Sequence, residues 1–139
     1  MTSDPTTILL VEDEAVLRRV FRTLLEASGY RVREAGTAGE ALGEVAANRP
    51  SLVLLDLGLP DRPGLDVART LRADGPTSTI PIVAMTGRSG PETRRLVLDA
   101  GCLALLVKPI EPRDLLDQIP GWIGSPPAPP TNGRAETPA

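Results

Sequence analysis

The segment Leu52-Val53-Leu54-Leu55-Asp56 is the most informative stretch of the chain for its fold. An unbroken aliphatic run of this length is typical of a strand buried on both faces, and such strands occur in parallel sheets covered by helices. The residues that follow, 57–64, read LGLPDRPG, and their glycines and prolines predict a turn that opens a helix. The sequence therefore predicts a buried strand that ends on a carboxylate and leads into a helix.

Apolar runs alternate with segments of helical period on both sides of this strand. Because each strand is followed by a helix, the strands should be parallel, joined by right-handed crossovers and covered on both faces. The predicted fold class is α/β, doubly wound, within one domain over residues 7–123, after a disordered N-terminus (1–6) and before a Pro-rich flexible tail (124–139). The predicted strands are 8–11, 30–35, 52–56, 81–86 and 103–107, and the predicted helices are 14–28, one capped by Thr37, 64–73, 91–100 and 112–119.

Composition excludes several classes of function. A net charge of −3 argues against direct nucleic-acid binding, and no apolar stretch approaches the ~18 residues of a membrane span. The polar N-terminus does not resemble a signal peptide, and the lone Cys102 suits a reducing compartment, so we expect a cytoplasmic protein. The chain has no histidine, which excludes histidine-based triads and histidine-ligated zinc. Any phosphohistidine must come from a partner.

Charged and hydroxyl side chains stand where the predicted strands end. Glu12 and Asp13 follow the first strand, Asp56 ends the third, Thr86 ends the fourth, and Lys108, the only lysine, ends the fifth. Functional groups of a doubly wound sheet gather outside the carboxyl ends of its strands. These five residues should therefore converge on one edge of the sheet.

Three crowded carboxylates repel one another unless cations intervene. One lysine and one divalent metal would balance their charge, and an all-oxygen ligand set favours Mg²⁺. A carboxylate beside Mg²⁺ can attack phosphorus and form an aspartyl phosphate. The metal and the lysine would then neutralise the phosphoryl oxygens.

Four short segments, in order and each at a strand end, carry a family resemblance. They are Val11-Glu12-Asp13, Asp56-Leu57-Gly58-Leu59-Pro60 with Gly64, Met85-Thr86-Gly87, and Lys108-Pro109. With them, the chain from about residue 7 to 119 resembles the CheY-like receiver domain of bacterial two-component response regulators, of the stand-alone type. The resemblance implies a flavodoxin-like, five-stranded parallel sheet in the order 2-1-3-4-5 with five helices.

The resemblance also implies a role for each site residue. Asp56 would be the phosphoacceptor. Glu12, Asp13 and Asp56 would hold Mg²⁺, together with the backbone carbonyl of Gly58. Thr86 and Lys108 would contact the phosphoryl group.

The resemblance also implies a cis Lys108–Pro109 bond. Two residues near the lysine depart from the family. The aromatic residue that usually lies three positions before the lysine is replaced by Leu105, and the aromatic after Lys-Pro by Ile110. A switch that couples the threonine to this aromatic residue cannot operate in its usual form.

The resulting functional hypothesis is a signalling protein rather than an enzyme. It would take a phosphoryl group from a sensor histidine kinase or a histidine phosphotransfer protein and present a changed surface to an unknown downstream protein. A phosphorelay intermediate and a fragment of a longer regulator remain alternatives. A Mg²⁺-dependent aspartyl phosphohydrolase is disfavoured because Gly58 replaces the second acid that such enzymes need.

A basic stripe on the first predicted helix permits two interpretations. Arg18, Arg19 and Arg22 recur at helical spacing. They form either a solvated face or a docking surface for the kinase or phosphotransfer partner.

Overall fold

A computed structural model describes residues 6–123, so the expectations for the extreme N-terminus and for the Pro-rich tail lie outside the described residues. Its five strands form one parallel sheet in the order β2-β1-β3-β4-β5, which confirms the predicted fold class. The strands are β1 (Thr7–Val11), β2 (Arg31–Ala35), β3 (Leu52–Asp56), β4 (Ile82–Thr86) and β5 (Ala104–Val107).

Five helices connect the strands. They are α1 (Ala15–Ala27), α2 (Ala38–Ala47), α3 (Gly64–Ala73), α4 (Pro91–Asp99) and α5 (Pro112–Trp122). No helix in this part of the chain is long and apolar enough to cross a membrane.

The sheet separates two apolar clusters because alternate residues of each strand point to opposite faces. On β1, Ile8 and Leu10 pack with residues of α1 and α5, whereas Leu9 and Val11 pack with residues of α2, α3 and α4. Every residue of β3 is buried. The aliphatic run therefore lies on the central strand of the sheet. Packing on both faces of this strand fixes the position of Asp56 at its end.

Helix termini follow the sequence signals. Gly29 and Gly101, with φ of +98°, take the left-handed conformation after α1 and α4, where glycine is favoured. Thr37 caps α2, since its hydroxyl oxygen accepts the Glu40 N–H at 3.0 Å. The Glu40 carboxylate in turn accepts the Gly36 N–H at 2.7 Å.

Most element bounds lie within one residue of the predictions, but the end of the last helix and one short helix differ from them. The last helix was predicted to end near Ile119 but continues to Trp122, with Pro120 inside it. One proline removes only one backbone donor. The Ile123 N–H still reaches the Ile119 carbonyl at 3.0 Å, and Trp122 is buried in the core. A short 3₁₀ helix, Gly75–Thr77, was not predicted because its three residues are too few for a periodic pattern.

Candidate functional site

Three carboxylates meet at the carboxyl edge of the sheet. Val11 lies opposite Leu55 in the β1–β3 register, so the next residue on each strand, Glu12 and Asp56, emerges beside the other. One ligand oxygen from each of Glu12, Asp13 and Asp56 lies within 4.8 Å of the others. Glu12 and Asp56 are buried and Asp13 is exposed. The structure therefore brings together the acidic residues that the sequence singled out.

Glu12 forms hydrogen bonds through its backbone N–H and through both carboxylate oxygens. Its N–H donates to the Ala35 carbonyl at 3.0 Å, which extends the β1–β2 ladder. Its carboxylate accepts the Glu14 N–H at 3.2 Å and the Lys108 ammonium at 3.0 Å. Burial raises the pKa of Glu12 against these hydrogen bonds, and the charge of Asp56 raises it further. Glu12 is thus a buried acid that benefits from added positive charge.

Lys108 lies between two of the carboxylates. Its Nζ is 3.0 Å from Glu12 Oε1 and 3.5 Å from Asp56 Oδ1, so it contacts Glu12 more closely than the expected phosphoacceptor. Burial opposes its charge, but the Glu12 hydrogen bond and the charges of both carboxylates outweigh burial and raise the pKa of Lys108. The Lys108–Pro109 peptide bond is cis.

Asp56 and Thr86 each keep one polar group without a partner among residues 6–123. Asp56 Oδ1 accepts the Gly58 N–H at 3.0 Å, whereas Oδ2 accepts no hydrogen bond from them. Thr86 Oγ1 accepts the Arg88 N–H at 3.1 Å, and its own hydroxyl proton has no acceptor there. A carboxylate oxygen and a hydroxyl donor are therefore both available to an incoming group.

The loop that follows Asp56 rests on the start of α3. The Gly64 N–H donates to the Leu57 carbonyl at 3.0 Å. A Cβ at Gly64 would lie 2.5 Å from the Asp56 carbonyl oxygen and 2.7 Å from Leu57 Cα. Only glycine permits this approach, which explains physically why the residue belongs to the motif.

Two site-supporting residues were missed by sequence reasoning. Arg18 donates from Nη1 to the Glu12 carbonyl at 2.7 Å. Asp61 accepts the N–H groups of Ala38 and Gly39 at 2.8 and 3.0 Å, so it caps α2 from the loop after β3. These hydrogen bonds hold the pKa of Asp61 below its usual range. Neither contact has a local sequence signal, because each joins separate elements.

The basic stripe on α1 is largely engaged within the protein. Arg18 pairs with Glu34 at 3.1 Å, and Arg22 pairs with Glu34 at 2.5 Å and with Glu26 at 3.0 Å. Arg19 is exposed and forms no ion pair within residues 6–123. Two of the three arginines are therefore structural partners of β2 or α1 rather than free cations.

The acidic cluster fits a hard divalent cation. Its donors are carboxylate oxygens, and Lys108 supplies a single positive charge against three carboxylates. Exposed Asp13 leaves one side open to water, which Mg²⁺ prefers to retain as ligand. The position of the Gly58 carbonyl as a further ligand stays a prediction from the resemblance.

Leu105 occupies the position of the usual switch aromatic. It is partly buried and packs against the cluster on the α2, α3 and α4 side of the sheet, whereas Ile110 packs against the opposite cluster. Neither side chain is aromatic, so no ring at these positions can rotate between a buried and an exposed state.

Comparison with known proteins agrees with this geometry. The family model described as the response regulator receiver domain matches residues 8–120. The chain belongs to the response regulator receiver domain family. Receiver domains are phospho-accepting signalling modules that bind Mg²⁺ at an acidic pocket and interact with histidine kinases or phosphotransfer proteins.

The curated relatives include both short and long proteins. The KDP operon transcriptional regulatory protein KdpE of Escherichia coli is 43% identical over 75% of this chain, which spans 45% of KdpE. The polar-differentiation response regulator DivK of Brucella anthropi is 32% identical over 86% of this chain, which spans 98% of DivK. This receiver thus spans under half of one relative and almost all of another.

Solved structures share the fold closely. A CheY-like receiver domain from Methanospirillum hungatei matches with a TM-score of 0.79 and 31% identity over 85% of this chain and 93% of its own. The chemotaxis response regulator CheY4 of Vibrio cholerae matches with a TM-score of 0.82 and 25% identity over 86% of this chain and all of its own. The strand order of this chain is therefore that of the CheY-like fold.

Proposed function

We propose that Asp56 is the residue that accepts the phosphoryl group, in a Mg²⁺-dependent reaction. The observation that carries the proposal is the convergence of Glu12, Asp13 and Asp56 within 4.8 Å, beside the only lysine of the chain. Asp56 ends a strand that is buried at every residue and keeps one carboxylate oxygen free of hydrogen bonds from residues 6–123. It combines a fixed position with an available lone pair.

The proposed step is a transfer from a phosphohistidine carried by a partner, since this chain contains no histidine. Oδ2 of Asp56 attacks phosphorus, the new O–P bond forms, and the N–P bond breaks with its electron pair returning to the imidazole ring, which takes up one proton from the solvent. The product is an aspartyl phosphate. No oxidant or reductant is needed.

The remaining residues would orient and neutralise the transferred group. Glu12, Asp13 and Asp56, with the Gly58 carbonyl, would hold Mg²⁺, which supplies positive charge to the phosphoryl oxygens. Lys108, already within 3.5 Å of Asp56, would exchange its contacts for a phosphoryl oxygen. Thr86 would donate its free hydroxyl proton to another.

The partners and the setting are part of the same proposal. The phosphoryl donor would be a sensor histidine kinase or a phosphotransfer protein, and it would dock on α1, where Val16 and Val20 are 71% and 46% exposed. A downstream protein would bind the surface formed by α4 and β5, where Leu96 and Val107 are exposed. The receiver would occupy residues 7–123, act in the cytoplasm and catalyse no reaction on a separate substrate.

Intact-mass spectrometry after incubation with acetyl phosphate tests the assignment. With Mg²⁺, the wild-type protein should gain the mass of one phosphoryl group, and Asp56→Asn should gain none. Asp66→Asn, a substitution on the exposed side of α3, serves as the matched control and should be modified like the wild type. Modification of Asp56→Asn to the wild-type extent would refute the proposal.

A further inference from the structure

The loop that carries Glu12 and Asp13 is anchored from outside the acidic cluster. Glu12 receives two donors at its carboxylate, and neither of them contacts its backbone carbonyl, which has a partner of its own. That partner is Arg18, whose Nη1 donates at 2.7 Å. The guanidinium thus fixes the peptide between Glu12 and Asp13, two residues that the proposed function assigns to the metal.

Arg18 is itself oriented by a second residue. Its Nε donates to Glu34 Oε1 at 3.1 Å, and the other Glu34 oxygen accepts from Arg22 at 2.5 Å. Glu34 lies on β2, next to the Ala35 carbonyl that accepts the Glu12 N–H. One carboxylate therefore bridges two arginines a turn apart on α1 and ties them to the strand beside the loop.

Local packing fits this arrangement. A Cβ at Gly36 would lie 3.3 Å from Arg18 Nη1, so glycine gives the guanidinium room beside the end of β2. The Arg18 side chain is only 23% exposed, and the Glu34 side chain is 28% exposed. Partial burial limits the alternative positions of both groups, which a freely solvated pair would sample.

We propose that Arg18 is a positioning residue for the metal site, oriented by Glu34, and that it sets Mg²⁺ affinity by holding the Glu12–Asp13 backbone. The inference rests on the proposed function, because it takes Glu12 and Asp13 as metal ligands. A planar guanidinium can engage the carbonyl and the carboxylate together, whereas an ammonium has no such fork. Residues that orient metal ligands typically change affinity 10- to 100-fold when replaced.

The sign of the effect separates positioning from simple charge. Arg18 adds a positive charge near a cation site, so a purely electrostatic role would make its removal tighten Mg²⁺ binding. A positioning role makes removal weaken binding. Arg18→Lys sharpens the contrast, since it keeps the charge and loses the fork.

Isothermal titration with Mg²⁺, in the absence of any phosphoryl donor, tests the inference. Arg18→Met and Arg18→Lys should both raise the Kd for Mg²⁺ about 10-fold, and Glu34→Gln should raise it by a smaller factor. Arg33→Met is the matched control, because it removes the ion pair between Arg33 on β2 and Glu44 on α2, 2.7 Å apart, which does not contact the site. It should leave the Kd unchanged.

The possible results are distinguishable. Melting temperatures measured without Mg²⁺ identify any variant that is misfolded. If Arg18→Met is misfolded, Arg18→Lys serves in its place. An unchanged or lowered Kd in a folded Arg18 variant overturns the positioning role alone. Failure of the wild-type protein to bind Mg²⁺ would instead contradict the proposed function.

Discussion

Lys108 shows at the scale of one residue why this chain keeps a single lysine among its cations. Its ammonium is 3.0 Å from Glu12 and 3.5 Å from Asp56, which a compact charge on a flexible stem can achieve. An arginine would instead present a larger planar group whose donors point in fixed directions. The lysine can therefore neutralise two acids and still turn towards an incoming phosphoryl oxygen.

Gly64 gives a prediction at the same scale. Gly64→Ala would place a Cβ 2.5 Å from the Asp56 carbonyl oxygen, and a backbone atom cannot rotate away. The substitution should lower the free energy of unfolding by about 1–3 kcal/mol and slow phosphorylation, because the Asp56 loop must shift. Urea denaturation and the acetyl phosphate reaction measure the two effects.

Gly43→Ala is the control for this substitution. Gly43 lies inside α2, and a Cβ there would meet nothing within 4 Å. Alanine should stabilise the helix by about 0.5–1 kcal/mol and leave phosphorylation unchanged. If Gly64→Ala also matched the wild type in stability and rate, the close packing of α3 on the loop would have no functional consequence.

Among the secondary-structure elements, Asp61 links the loop that follows Asp56 to α2. It accepts the Ala38 and Gly39 N–H groups, and it lies in the turn between Asp56 and α3. A carboxylate at a helix N-terminus satisfies backbone donors that have no partner within the helix. The loop and the helix should therefore loosen together when this contact is removed.

The Asp61 contact should depend on pH. Hydrogen bonds from Ala38 and Gly39 lower the folded pKa of Asp61, so its stabilisation is present above the unfolded pKa and is lost as the pH falls through the folded pKa. Asp61→Ala should lower the Tm at pH 7, and the difference from the wild type should narrow on acidification. Thermal melts of both proteins, from pH 7 down to acidic pH, measure this difference in Tm.

Asp117→Ala provides the comparison for the melts. Asp117 is exposed on α5, and its side chain makes no hydrogen bond within residues 6–123. Its replacement should shift the Tm little at either pH. A gap between Asp61→Ala and the wild type that stays constant as the pH falls would show that the carboxylate charge does not cap α2.

The elements themselves were predictable because their signals are local. The aliphatic run of β3, the helical spacing of α1 and the Thr37 cap each lie within a few neighbouring residues. The extension of α5 past Pro120 was not predictable, because it depends on Trp122 reaching the core. Local preference gave way there to tertiary packing.

For the whole molecule, the strand order explains why the charged residues of the site meet at one edge of the sheet. Placing β3 between β1 and β4 brings Glu12, Asp56 and Thr86 to one edge of the sheet, and β5 adds Lys108. The sequence could predict this convergence from the rule for strand ends. It could not predict the Arg18–Glu34 support, since this contact joins side chains of two separate elements, α1 and β2, and has no local pattern.

Borohydride trapping tests most directly whether Asp56 carries the phosphoryl group. Borohydride reduces an aspartyl phosphate to homoserine. The protein is therefore incubated with acetyl phosphate and Mg²⁺ and then reduced, and peptide mapping identifies the acceptor residue. We predict homoserine at position 56 and at no other position. When a chelator removes Mg²⁺ before acetyl phosphate is added, no homoserine should form. Homoserine at position 13, or a stable phosphate on a serine or threonine with Asp56 unmodified, would show that Asp56 is not the acceptor.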